Sequence, residues 1–232
     1  MKVLGTSLVF FFFVNSPVGF AKEKGGLEQT YEIEAIQIAD QIWKYAELGY
    51  LEKKSSKLLQ DFLLDQNFNV RTGVDGIDTA FIATAGSGSP TIAILAEFDA
   101  LPGLSQKALP YREPLESGGS GHACGHHLFG AASAAAGARL SDWMRESGVN
   151  GTVKVIGTPA EEGGSGKVYL ARAGVFNDVD LVLHWHPSDV NSASPYTTTA
   201  NKSGRFTFKG KAAHAASAPH RGRSALDGVE AM

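Results

Sequence analysis

Between Leu27 and Ala46 the apolar residues Ile33, Ile36, Trp43 and Ala46 recur at helical spacing among charges, which predicts an amphipathic helix. Gly49 closes it. Leu51, Leu58, Leu59, Phe62 and Leu63 then mark a second helix that runs to about Gln66. Thr79–Ala85 and Thr91–Glu97 are short, β-branched and apolar, and they flank Gly86-Ser87-Gly88-Ser89-Pro90. They read as a strand, a turn and a buried strand. His127–Met144 is alanine-rich and stops before Gly148, as a buried helix would. Val153–Ile156 predicts a strand, followed by a Pro159–Gly166 loop and a short helix over Val168–Ala173. Leu181–His186 predicts one more strand, ended by Pro187. Strands alternating with helices imply an α/β fold, a sheet layered by helices.

Two stretches depart from this rhythm. Leu101–Gly121 is rich in Pro, Gly and Ser, and is long for a structureless connection, which favours a functional loop. Arg205–Lys211 alternates with Phe206 and Phe208 on one face, so a second domain is expected to begin near Thr197. At the N-terminus, Lys2 precedes an apolar run from Val3 to Val14, and Gly19-Phe20-Ala21 supplies small residues at the positions a signal peptidase reads. Residues 1–21 therefore predict a secretion signal and an exported, periplasmic or secreted protein. That run is too short for a membrane helix, which needs about 20 apolar residues, so no stable membrane anchor is expected.

Composition narrows the function classes. A chain of 232 residues that is 43% hydrophobic can bury a core. A formal net charge of −3 argues against a nucleic-acid partner held through phosphates. A single cysteine excludes a disulfide framework and any multi-cysteine zinc ribbon.

The unusual polar residues sit where strands end. The buried strand exits into Glu97-Phe98-Asp99, and the long loop ends in Gly121-His122-Ala123-Cys124-Gly125-His126-His127 at the mouth of the alanine-rich helix. The next strand exits into Glu161-Glu162, and the last into His184-Trp185-His186. Open α/β sheets bind ligands beyond the carboxyl ends of their strands, so these segments are expected to converge. Thiolate, imidazole and carboxylate form a ligand set suited to zinc or manganese. A helix N-terminus would also lower the thiol pKa. A lone cysteine is more often a small buried hydrophobe, but a C-x-H pair with further histidines favours metal. Glu161 and Glu162 could be a solvated pair. They also permit a division of labour, one carboxylate on metal and its neighbour taking a proton. His184 and His186 are expected to point the same way from a strand, one as ligand and the other supporting it or the substrate. Gly163-Gly164-Ser165-Gly166-Lys167 is not a phosphate loop, because Glu161 and Val168 break the pattern.

The strings AELGYLEKKSS, AEFDALPG, GHACGHHLFGAA, GTPAEEGGSGK, HWHP and KGKAAHAASAPHRGRSALDGVEAM resemble, in order, the M20 metallopeptidase and amidohydrolase family. The aminobenzoyl-glutamate utilization B branch is the nearest likeness. The resemblance implies two divalent metal ions, zinc or manganese, with Cys124 bridging them and His126, Glu162 and His186 as further ligands. It implies Glu161 as general base, Asp99 orienting a site histidine, and His214 binding substrate or stabilising an oxyanion. His127 stands where many relatives carry Asp or Asn. The implied architecture is a catalytic α/β domain over residues 22–196 and the start of an inserted lid and dimerisation domain over 197–232. Relatives continue past this point and supply a last histidine ligand.

The expected activity is metal-dependent hydrolysis of an amide between an acyl or aroyl group and an amino acid, such as an aminobenzoyl-glutamate-like molecule or a dipeptide. The parent enzyme is expected to be a homodimer. Two other readings stand beside this one. The first is a truncated, inactive chain that only binds metal or ligand. The second is a solute-binding protein, which the ligand cluster disfavours.

Overall fold

Five strands form one open sheet in the order β1-β2-β4-β3-β5. They are β1 (Asn69–Thr72), β2 (Phe81–Ser87), β3 (Thr91–Ala96), β4 (Gly151–Gly157) and β5 (Leu181–Leu183). The computed structural model describes residues 25–193, 197 and 199–232, and the predicted secretion signal lies outside them. β2 pairs antiparallel with both β1 and β4, whereas β3 runs parallel to β4 and to β5. The carboxyl ends of β4, β3 and β5 therefore share one edge of the sheet, which is what a ligand site requires.

Six α-helices, α1 (Gly25–Tyr45), α2 (Lys53–Asp65), α3 (His126–Ser147), the single turn α4 (Glu161–Gly164), α5 (Gly166–Arg172) and α6 (Ala225–Glu230), and two 3-10 turns, Val74–Gly76 and Pro219–Arg221, complete the described elements. The pleat sends alternate residues of a strand to opposite faces, and both faces are covered. On one face Ala83, Ala85, Val153 and Val155 pack with Ile38 and Ile42 of α1, Leu59 and Leu63 of α2, and Ala131, Ala134 and Ala138 of α3. On the other, Ile82, Ala93, Leu95 and Ile156 pack with Phe129, Leu170 and Val175. Burial on both faces explains why β3 is a nearly continuous apolar run. The alanine content of α3 has a matching cause. A Cβ on Gly130 would lie 2.6 Å from the Glu97 carbonyl oxygen, so only a side-chain-free position lets the helix approach β3 so closely.

Several expectations are corrected. The final strand stops at Leu183, where pairing with Ile94 ends, so His184 and His186 lie beyond the ladder. The Pro159–Gly166 loop winds into α4. Over Arg205–Lys211, where the sequence alternates, a single bridge pairs Lys211 with Arg223, and Phe206 is 70% exposed. β1 went unpredicted, because Asn-Val-Arg-Thr is a short, mostly exposed edge without apolar alternation.

The chain divides into two compact units, one ending at Asp189 and the other running from Val190 to Met232. In the second, α6 is capped by Ser224, whose hydroxyl accepts from the Asp227 N–H at 3.1 Å. Among the described residues no helix is long and apolar enough to cross a membrane.

Candidate metal centre

Four segments of the first unit deliver side chains to the shared strand edge. Glu97 and Asp99 leave β3, Glu161 and Glu162 follow β4 on α4, and His184 and His186 follow β5. Cys124 and His126 open α3. Gly125 between them takes φ 87, a left-handed turn that puts a thiol and an imidazole on the same helix mouth.

His126 is fully buried, and its Nδ1–H donates to Asp99 Oδ1 at 2.8 Å. The second oxygen of Asp99 accepts the Glu162 backbone N–H at 2.9 Å, so one carboxylate orients both the histidine and the α4 turn. His126 Nε2 is then the free nitrogen. It lies 2.9 Å from Glu97 Oε2 and 4.0 Å from Glu161 Oε2. His186 donates from Nδ1 to the Pro187 carbonyl at 2.9 Å, which leaves its Nε2 lone pair 3.4 Å from Cys124 Sγ. Donor atoms of Cys124, His126 and His186 lie within 4.8 Å of one another, and so do those of Glu97, His126 and Glu161. The sheet edge thus brings together five of the residues expected here, Cys124, His126, Glu161, Glu162 and His186, with Asp99 behind them.

The donor set fits a cation. Glu97 Oε2 and His126 Nε2 are buried and face only each other, and Glu162 Oε1 is buried without an aligned hydrogen-bond partner, a costly state for a polar atom. Burial, together with Glu162, Glu161 and Glu97, pushes the Cys124 thiol up to about 12. This reverses the expected lowering at a helix N-terminus, because burial, with the surrounding carboxylates, outweighs the helix dipole. Burial also opposes a charge on His126, yet Asp99 and Glu97 push it up to about 10. Metal binding would make the thiolate and the neutral imidazole the stable forms.

Other residues, Glu52 and Tyr50 among them unmarked by the sequence, hold this edge in place. Glu52, fully buried at the start of α2, accepts the Ala160 N–H at 2.8 Å and the Thr79 hydroxyl at 3.0 Å. Burial raises its pKa. Ala160 sits at φ 55, a left-handed conformation uncommon for a residue with a Cβ, and Glu52 fixes it there, immediately before the paired glutamates. The Tyr50 hydroxyl donates to the Gly164 carbonyl at 2.5 Å, closing the other end of the turn. Lys167 donates to Glu97 Oε1, and His184 Nε2 meets the same oxygen at 3.1 Å. Burial opposes Glu97's charge, but His126, His184 and Lys167 hold its carboxyl well below the usual range. The only sequence signal for Glu97 is its place two residues before Asp99 at a strand exit. Phe129 lies under the site, its ring centroid 5.0 Å from His184 and 6.3 Å from His126.

His127 turns away from this cluster. Its ring packs 4.8 Å from Trp43 and 5.2 Å from His122, and burial holds it down at about 4. His214 belongs to the second unit, where its Nδ1 accepts the Ala216 and Ser217 N–H groups at 3.2 and 3.1 Å.

A mixed α/β sheet with thiol, imidazole and carboxylates gathered beyond its parallel strands is the arrangement of a family of peptidases. Residues 93–217 match peptidase family M20/M25/M40, and the chain belongs to that family. Among curated proteins it is 46% identical over 196 residues to a p-aminobenzoyl-glutamate hydrolase subunit of Escherichia coli (strain K12), covering 84% of this chain and 41% of that one. It is 35% identical over 198 residues to Xaa-Arg dipeptidase of Mus musculus, covering 80% of this chain and 42% of that one. The chain therefore spans less than half the length of these relatives. Among solved structures it is similar to the YXEP protein of Bacillus subtilis, a dinuclear metal binding peptidase. That match has a TM-score of 0.58 and 29% identity, over 67% of this chain and 42% of that one. Aminobenzoyl-glutamate utilization protein from Klebsiella pneumoniae shares the fold at a TM-score of 0.51 and 22% identity, over 87% and 57%.

Proposed function

We propose that the protein is a metal-dependent amidohydrolase of an exported, periplasmic or secreted type. The observation that carries this reading is the convergence at one sheet edge of donor atoms from Cys124, His126 and His186, and from Glu97, His126 and Glu161, each set within 4.8 Å. Cys124, His126, Glu162 and His186 would hold two divalent ions, zinc or manganese. Bound there, the ions would supply a Lewis acid for the amide carbonyl and lower the pKa of the attacking water.

Glu161 is suited to move the proton. Its side chain is 43% exposed, and its Oε2 stands 4.0 Å from the ligand nitrogen of His126. From there it takes a proton from the attacking water and passes it to the departing amine. Asp99 keeps His126 in the tautomer whose Nε2 faces the centre, and it fixes the α4 backbone on which Glu161 sits. His214 would bind substrate.

The substrate would be an acyl or aroyl amino acid, with p-aminobenzoyl-glutamate first by likeness to the Escherichia coli relative and dipeptides second by likeness to the mouse one. The second unit would begin a lid through which the whole protein forms a homodimer. Neither nucleic acid nor a membrane anchor belongs to this reading.

The test is hydrolysis of p-aminobenzoyl-glutamate by the purified chain during titration with zinc or manganese. Turnover that needs metal and falls by about 100-fold or more in Glu161→Gln, with metal uptake unchanged, is expected. Metal uptake without any turnover would leave a binding chain in place of an enzyme.

A further inference from the structure

We propose that Glu97 is a further ligand of the cation that His126 holds, presented through Oε2 alone. The proposal rests on the metal reading above and adds to its ligand set an oxygen that the motif pattern did not identify.

Glu97 is 2% exposed, at the very end of β3. Its two oxygens have different surroundings. Oε1 takes the Lys167 ammonium and His184 Nε2, so its acceptor capacity is used by two groups of the protein. Oε2 is buried, has no aligned hydrogen-bond partner, and lies 2.9 Å from His126 Nε2. The one polar neighbour of Oε2 is His126 Nε2, the same atom on which a metal would sit, so a cation that takes Nε2 leaves this buried oxygen without a partner unless Oε2 shares the cation. Because Asp99 occupies Nδ1, Nε2 is the only nitrogen His126 has left for a metal. A cation on Nε2 therefore lies beside Oε2. A Glu161 oxygen lies within 4.8 Å of the same two atoms, close enough for the proton-moving carboxylate to work beside that cation without holding it.

Lys167 and His184 then acquire a role. By holding Oε1 they anchor the carboxylate and restrict it to one-oxygen coordination, and their hydrogen bonds stabilise its ionised form. His184, left with two possible duties by the sequence, becomes a positioning residue for Glu97.

The competing account is that Glu97 only balances a protonated His126 and never touches metal. Glu97→Gln keeps the length and removes the charge, whereas Glu97→Asp keeps the charge and withdraws the oxygen by one methylene. Zinc affinity of the full chain and both variants is measured by calorimetry, with the visible spectrum of the cobalt-loaded forms as a report on coordination. A ligand role predicts zinc binding weaker by about tenfold or more in both variants and a cobalt spectrum altered in both. Wild-type affinity and spectrum in Glu97→Asp would assign Glu97 to charge balance and overturn the proposal. No metal uptake by the wild-type chain would instead overturn the metal reading itself and this inference with it. Should both variants fail to fold, a crystal structure of the zinc-loaded wild-type chain decides. Oε2 within about 2.2 Å of zinc is expected, and a separation beyond ordinary ligand distance overturns the proposal.

Discussion

The two ends of the same sheet are built on opposite plans. Beyond the carboxyl ends of β3, β4 and β5 three of the polar groups are buried, with Glu97 2% exposed, Asp99 1% and His126 0%. Glu97 Oε2 and His126 Nε2 have only each other, and Glu162 Oε1 lacks an aligned partner. At the other end, Asp180 accepts the Thr91 N–H at 2.7 Å, the Thr152 hydroxyl donates to the Gly88 carbonyl at 2.8 Å, and Lys154 pairs with Asp178 at 2.6 Å. These groups are satisfied among themselves and in contact with water. The contrast separates polar residues that close off a fold from polar residues whose partner comes from outside. A buried, incomplete set opposes folding until something binds it.

The largest expected effect follows directly. Zinc or manganese should raise the thermal midpoint of the chain, with a gain of roughly 4 kcal/mol when free metal is about 1,000 times its Kd. A chelator should reverse the gain, and Cys124→Ala or His126→Ala should abolish it. Asp180→Ala, at the opposite end, should leave the metal-induced shift intact. Differential scanning calorimetry with and without metal checks this. Equal shifts in the Cys124→Ala and wild-type chains would remove the distinction between the two ends.

A second effect tests whether the site end also carries ordinary structural weight. Glu52 is buried and serves two donors, the Ala160 N–H and the Thr79 hydroxyl. Glu52→Ala strands both, and a loss of roughly 2–4 kcal/mol is expected in urea denaturation. The variant should also weaken metal binding, because the Ala160 turn that sets up Glu161 and Glu162 loses its anchor. A stability loss with unchanged metal affinity would show that the α4 turn holds its shape without Glu52.

How far the sequence revealed this end depends on the kind of signal each residue leaves. Cys124, His126, Glu161, Glu162 and His186 stand in unusual local strings, and strand exits are where open sheets bind ligands. That placed them together before any coordinates. Glu52 leaves no such trace: it reads as one more charge beside Lys53 and Lys54, and only the tertiary fold buries it against Ala160. Lys167 likewise looked like part of a failed phosphate loop. Periodicity located α1, α2, α3 and the apolar strands, whose burial on both faces comes from long apolar runs. It missed β1, and it drew β5 through His186, because a strand's end is set by where its neighbour stops pairing.

A buried titratable group away from both ends supplies a measure between the extremes. Tyr31 of α1 donates its hydroxyl to Asp142 of α3. Burial and that carboxylate push its pKa up to about 12. A raised folded-state value means the contribution is fully present below the ordinary tyrosine pKa near 10 and is lost as pH climbs through about 12. Stability of the wild-type chain relative to Tyr31→Phe should therefore decline between these values, by up to about 2–3 kcal/mol. Denaturant titrations at three alkaline pH values measure it. A constant difference would mean that Asp142 does not hold the phenol neutral.

The smallest effect is expected at the solvent-facing end. Lys154 and Asp178 make the shortest ion pair there, and the lysine holds the aspartate's carboxyl below its usual range. Distance alone would suggest a strong interaction. The Asp178 side chain is nevertheless 72% exposed, so water and salt screen the attraction and holding two mobile side chains together has its own entropic cost. Lys154→Met should change stability by less than about 1 kcal/mol, and the change should shrink further in high salt. The Lys154 side chain is only 12% exposed and lies along β4, so a methionine of similar length can cover the same strand surface. A loss comparable to that of Glu52→Ala would show that short distance, and not burial, decides which polar groups hold this sheet together.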